Sequence, residues 1–332
     1  MNKSFMAVLC SVAFLSTSLL AGPVQDKQVS AAAKWVVHVD VEGAVASGLG
    51  QYLIQRGKDK DLAAKTAKYK DKWGFDPLVD LQSVTLYGED FDPAGGVAIV
   101  QAKVDQATLL KQLAANPGHK ELKYGDRVVH QWTQAATGHM PAGDRFGTFY
   151  SDNITVIAQT QAVLQHAVDV LDGKADNLTK AKSSLLPKSP KGTFFVFSAV
   201  DVALPKNAAA RRPVMQNISS GSAVAGEDDN GLFYKGEMTA KTADDAARIQ
   251  QVIEGFLGLA ALWSERPAVS DVPAPDPTAL LKGVKASTED KAISLEATAS
   301  LQDVQTFIDS AIKFRQAMKA ARKASAQAKS GK

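Results

Sequence analysis

Two stretches far apart in the chain share one pattern, a strand that runs through Ala-Lys into a capped helix. They are "VAIVQAKVDQATLL" at 97–110 and "FYKGEMTAKTADDAARI" at 233–249. Such a unit must bury one face of its strand and one stripe of its helix against neighbours, so a chain carrying it twice is held to a mixed architecture of sheet and helices. Two further landmarks agree in order. Val39-Asp40-Val41 matches Val200-Asp201-Val202 at the end of an early strand, and "ITVIAQTQAVLQHAVDVL" matches "ISLEATASLQDVQTFIDSAI" as a late strand feeding a terminal helix. The longer first half is explained by a helical insert near residues 58 to 76.

Local signals place the elements between these landmarks. Asp105 stands where an N-cap belongs before "QATLLKQLAA", and Asn116-Pro117-Gly118 ends that helix. Gly125-Asp126 and Asp152-Asn153 are hairpin turns, and Thr160 opens a helix that Gly173 closes. Thr242 with Asp245, and Ser300 with Asp303, resemble capping boxes in which Asp replaces Glu. A polar connector with Pro187 and Pro190 separates the halves, and a loop with Pro267, Pro273, Pro275 and Pro277 follows a longer helix of the second, "ADDAARIQQVIEGFLGLAALW". The expected fold is α+β in two similar halves, residues 30–175 and 190–328. Each half is expected to be a ferredoxin-like, split β-α-β module with an antiparallel sheet and helices packed on one face.

The chain begins "MNKSFMAVLCSVAFLSTSLLAGPV", with Lys3 as a positive start, an apolar run, and small residues at Ala21 and Gly22. This is the layout of a secretory signal peptide, residues 1–21, processed after Ala21 and directing the protein to the periplasm or the extracellular space. The run is shorter than the roughly 20 apolar residues of a membrane span, so no transmembrane span is expected. Lipidation is disfavoured because Leu9 stands before Cys10. Cys10 is the only cysteine, and its removal with the leader leaves no disulfide, thiol nucleophile or thiolate metal site. Lysines and arginines number 38 against 35 acidic residues, and a balance so near neutrality does not point to nucleic acid.

The leader, the "WVVHVDVEGAVASGLGQYL" stretch at 35–53, the phrase "FDPLVDLQSVTLYG" at 75–88 and the repeated strand-to-helix units resemble uncharacterised secreted bacterial proteins of unknown function. The likeness spans most of the mature chain. Its motifs are structural, and it implies no catalytic residues.

Candidate chemistry starts at "KWVVHVDVEG", where alternation puts His38, Asp40 and Glu42 on one side of a strand. Asp40 recurs as Asp201 whereas His38 falls on Ala199. Asp40 is therefore expected to cap a helix, with Glu42 in its first turn, and His38 to be a polar residue at the sheet surface. The other histidines are His119, His130, His139 and His166. Spacings from His119 to His130 to His139 match no compact ligand pattern, and His119 and His130 are out of register on their hairpin by a few positions. His38, His119, His130 and His139 remain the candidates for a metal, and no cofactor is expected. A Gly-x-Ser-x-Gly elbow is absent, "SSGSAVAG" at 219–226 lacks the spacing that exposes a serine, and "GGVAIVQAK" at 95–103 is no phosphate loop.

The sequence thus points to an exported, non-enzymatic envelope or secreted protein that binds an unidentified protein or envelope component. The alternative is a metal-dependent or other hydrolase with a site assembled from distant residues. In the last helix, Leu301, Val304, Phe307, Ile308 and Ile312 form a stripe expected to pack on the sheet of the second half. Beyond it Lys319, Arg322, Lys323 and Lys329 offer contact with an anionic surface.

Overall fold

The computed structural model describes residues 22–58, 62–116, 118–136, 142–181, 185–203 and 216–330. Residues 1–21, where a leader with Cys10 is expected, and the candidate His139 lie outside the described residues. The first half runs β1 (Trp35–Asp40), α1 (Val41–Ala46), α2 (Gly48–Lys58), α3 (Leu62–Trp73), β2 (Leu81–Gly88), β3 (Gly96–Ala102) and α4 (Gln106–Ala114). It continues through β4 (Lys120–Tyr124), β5 (Arg127–Gln134), β6 (Gly143–Ser151), β7 (Ile154–Ala158) and α5 (Gln161–Leu171). The second half comprises β8 (Thr193–Ala199), β9 (Ile218–Asp228), β10 (Gly231–Ala240), α6 (Ala243–Ala261), α7 (Thr278–Leu281), β11 (Val284–Glu289), β12 (Ala292–Ala299) and α8 (Leu301–Ser330).

These strands form one sheet in the order β11-β12-β10-β9-β8-β1-β2-β3-β7-β6-β5-β4, and the chain is of the α+β class. Each half opens with a three-strand meander, β1-β2-β3 or β8-β9-β10, and the two meet edge to edge where β1 pairs with β8. A split β-α-β unit is present in the second half, because β10 leads through α6 to β11 while β12 lies between the two strands. The four-strand ferredoxin-like order describes neither half as a whole. Helices α1 to α3 turn the chain back so that β2 lies directly beside β1 as its antiparallel partner, with no strand inserted between them.

The caps expected from sequence are in place. Asp105 accepts from the Thr108 N–H at 3.2 Å, Thr160 from the Val163 N–H at 3.3 Å, and Asp40 from the Gly43 N–H at 2.8 Å. Thr242 and Ser300 each accept from the N–H three residues on, at 3.1 Å, and each donates to that residue's carboxylate at 2.7 Å. Asp40→Ala should lower stability by about 1 kcal/mol, the usual worth of a side-chain N-cap. A urea-unfolding midpoint that does not move would remove Asp40 from that role. Asp201, its sequence counterpart, is paired with Lys34. The two strand-to-helix corners are also held alike. The Ala102 N–H donates to the Asn153 carbonyl and the Ala240 N–H to the Lys291 carbonyl, at 2.9 and 2.8 Å, each reaching the turn of a later hairpin.

Period-two alternation divides the sheet into two faces. On one, Val36, Val97, Ile99, Val129 and Val156 form a buried core under α5, whose Leu164 and Ala167 are fully buried, and under the segment around Val29. The opposite face is covered by α3 and α4 in the first half and by α6, which buries Ala246 and Ile249 against Ile218, Ala240 and Ile293, in the second. Helices therefore lie on both faces of the first half. The expectation of one covered face fails because β3 and β7 are central strands, apolar on both sides, and each side needs a cover.

Beyond the β1–β8 pair and the Lys34–Asp201 ion pair, further contacts join the halves. The Glu227 carboxylate at the end of β9 accepts from the N–H groups of Gly48 and Leu49, both at 2.9 Å, and so caps α2 from the other half. Helix α8 packs chiefly against α2 and the short α7, with Tyr52 donating to the Gln305 carbonyl at 3.2 Å and Arg56 paired with Asp309. Its apolar stripe, half-buried from Leu301 to Ile312, is thus turned mainly toward helices. Lys319, Arg322 and Lys323 are exposed beyond it.

Candidate functional site

Helices α3 and α4 face β5, β6 and β7. Between them is a pocket of about 360 Å³, walled by Tyr69 and Trp73 of α3, Leu109 and Leu113 of α4, and Trp132, Phe149 and Ile157 of the sheet. Gly147 makes room for one wall, since a Cβ there would stand 3.1 Å from the Trp132 ring. Tyr69 is braced edge-on by Phe75, with ring centroids 5.3 Å apart. The sequence showed α3 only as a solvated helix, and most of it is exposed. Only Tyr69 and Trp73, in its second half, line the cavity, too sparse a signal to announce a pocket. The polar side chains that reach the cavity include His130 and Gln134 of β5.

His130 also belongs to a second feature. Glu121 and His130 are direct partners across the β4–β5 ladder, and His119 lies two positions before Glu121, immediately ahead of β4. An offset of two residues preserves the face of a strand, so all three side chains share one side of the hairpin. The register offset that seemed to separate His119 from His130 makes them diagonal neighbours instead. His119 Nε2 lies 3.2 Å from His130 Nδ1, the rings are nearly parallel with centroids 5.4 Å apart, and Glu121 Oε1 is 3.9 Å from His130 Nδ1. Burial, followed by the neighbouring His119, pushes the His130 imidazole below the ordinary histidine range, against a smaller opposing effect of Glu121.

His38 is not at a surface. It is 3% exposed, on the face covered by α5 and the segment after Gly22. Both ring nitrogens are engaged. Nε2 lies 3.0 Å from the Gly22 carbonyl, which can only accept, and Nδ1 lies 2.9 Å from the Thr85 hydroxyl, which can donate or accept. The ring is thus tied into the packed interior, and burial holds it below the ordinary histidine range, which favours the neutral form, although the Gly22 carbonyl and Asp40 act the other way. Alternation in β1 was legible. Which side the fold covers was not. His166, half exposed on α5, pairs with Glu89 at 2.9 Å.

Two larger clefts, of about 650 and 470 Å³, lie beside the start of α2 and on the face of β8 to β10. Glycine, serine, lysine and acidic residues make up much of their walls, and the Glu227 carboxylate in the first is already committed to α2. The aromatic pocket is smaller than these two clefts and more enclosed.

No protein-family model matches the chain, and no curated protein matches it. Among solved structures, it is similar to crystal form III of TP0453, with a TM-score of 0.44 at 10% identity, covering 87% of this chain and 99% of that one. Crystal forms I and IV of TP0453 give TM-scores of 0.41 each, again at 10% identity and 87% of this chain, with 98% and 97% of theirs covered.

Proposed function

We propose that the protein is an exported, non-enzymatic binding protein of the periplasm or extracellular space. Its ligand is a compact molecule with an apolar body and one polar end, held in the pocket beneath α3 and α4. The observation that carries this reading is the pocket itself. Its volume is within the range of small-molecule sites, its walls are aromatic and aliphatic, and His130 and Gln134 supply the few polar groups that such a site uses to orient a ligand. Export rests on the leader at residues 1–21. No helix among the described residues is long and apolar enough to cross a membrane. The matched corners at Ala102 and Ala240 support reading the two halves as duplicates. Contact with a partner is supported by Val252, Phe256, Leu259 and Trp263, which stand exposed on and just after α6. Contact with an anionic surface is supported by the cations at the end of α8.

Trp73 and Trp132 line the pocket and report on it. Titration with 1-octanol should change tryptophan fluorescence to a plateau at one molecule per chain. Leu113→Trp, which fills the cavity from α4, should weaken that binding at least about tenfold while thermal unfolding remains cooperative. Absence of saturable binding, or equal binding by the folded Leu113→Trp chain, would sink the pocket reading.

A further inference from the structure

We propose that His119, Glu121 and His130 bind a divalent first-row transition-metal ion, zinc in the first instance, on one face of the β4–β5 hairpin. Backbone geometry brings them together. Positions 119 and 121 share a strand face, and 121 lies opposite 130. Their three donor atoms all fall within 4.8 Å of one another.

The spacing is that of ligands around an ion. Two nitrogens each bound at about 2.0 to 2.1 Å to a tetrahedral centre stand about 3.4 Å apart, and His119 Nε2 and His130 Nδ1 are 3.2 Å apart. Glu121 Oε1 must approach His130 from 3.9 Å, and that side chain is 64% exposed and free to turn. His130 is 5% exposed, so the sheet holds its ring in place while the carboxylate adjusts. Without an ion, the short N···N contact needs one imidazole to donate to the other's lone pair. Metal binding replaces that contact. Both nitrogens then offer lone pairs, and the ring that had donated carries its proton on the far nitrogen, so no proton is lost.

The donor set selects the ion. Two imidazoles and one carboxylate suit zinc and its neighbours better than calcium or magnesium, which take oxygen ligands. Three protein ligands also leave a fourth position for water or another ligand. This inference rests on the donor set and does not depend on the ligand of the apolar pocket.

The test uses the purified full chain, stripped with a chelator and titrated with Zn²⁺ by calorimetry, with Co²⁺ as a spectroscopic probe. One ion per chain is expected, with the visible absorption of four-coordinate Co²⁺. His119→Ala should weaken Zn²⁺ binding more than about a hundredfold, beyond the cost of losing an outer partner of a ligand. Glu121→Gln, at an exposed position that leaves the sheet undisturbed, should weaken it too, and His166→Ala should leave it unchanged. The proposal is overturned if no stoichiometric ion binds. It is equally overturned if binding survives both His119→Ala and Glu121→Gln, or if His166→Ala abolishes it.

Discussion

Leu164→Ala should lower the stability of the protein by about 3 to 5 kcal/mol, the upper part of the range for truncating a buried leucine. Leu164 is fully buried and belongs to the α5 stripe that also buries Ala167, Val168 and Val170. It faces a core assembled from β1, β3, β5 and β7 through Val36, Ile99, Val129 and Val156. Central strands of a sheet cannot shift toward a vacated volume without breaking their ladders, so the cavity stays open. The cost is then the transfer of the lost methyl groups plus the cavity itself. Urea unfolding followed by circular dichroism should show a lower midpoint with an unchanged slope. A loss below about 1 kcal/mol would mean that α5 is a loose cover.

Acid should destabilise the protein well before its carboxylates titrate, because His38 is buried neutral. Burial lowers its folded-state value below the ordinary histidine value of about 6.5, so an unfolded His38 takes up a proton at a pH where the folded one does not. The unfolded chain then binds more protons. The stability contributed by the neutral ring is fully present above about pH 6.5 and is lost as the pH falls from there toward the depressed folded value. Each such group adds a slope of up to about 1.4 kcal/mol per pH unit in this window. His130, lowered chiefly by burial, acts in the same direction. The Asp80 and Asp172 carboxyls, held below the ordinary aspartate value, lose their contributions only at much lower pH. Chemical unfolding at pH 7.5, 6.5 and 5.5 should show this decline, and His38→Gln should flatten it. An unaltered slope in His38→Gln would show that His38 is solvated or charged in the folded protein.

The residues that could be placed from sequence are those whose partners lie within one turn of chain. Asp105, Thr160, Thr242 and Ser300 cap helices because the N–H each one accepts from is three residues away. Gly125 takes a left-handed φ of +57° at the β4–β5 turn, which is why a glycine there marked the hairpin. The two strand-to-helix units were visible for the same reason, through their caps at Asp105 and Thr242, and with them the α+β class, whereas the bonds from Ala102 to Asn153 and from Ala240 to Lys291 that hold their corners were not.

What tertiary structure alone decided depends on partners far along the chain. Alternation put His38 and Asp40 on one side of β1, but only the docking of α5 and the segment after Gly22 made that side an interior. Glu227 caps α2 across 179 residues. No local pattern marks a carboxylate for that task. His119, Glu121 and His130 show the boundary within one hairpin. The turn was legible, yet their convergence depended on the ladder register, where a shift of one residue would have sent His130 to the opposite face from Glu121. The apolar pocket depends on α3 and α4 meeting residues of β5, β6 and β7, a docking that neither helix specifies. Local hydrogen bonds fix which elements form, whereas the faces they bury and the side chains they gather are set by packing between elements distant in sequence.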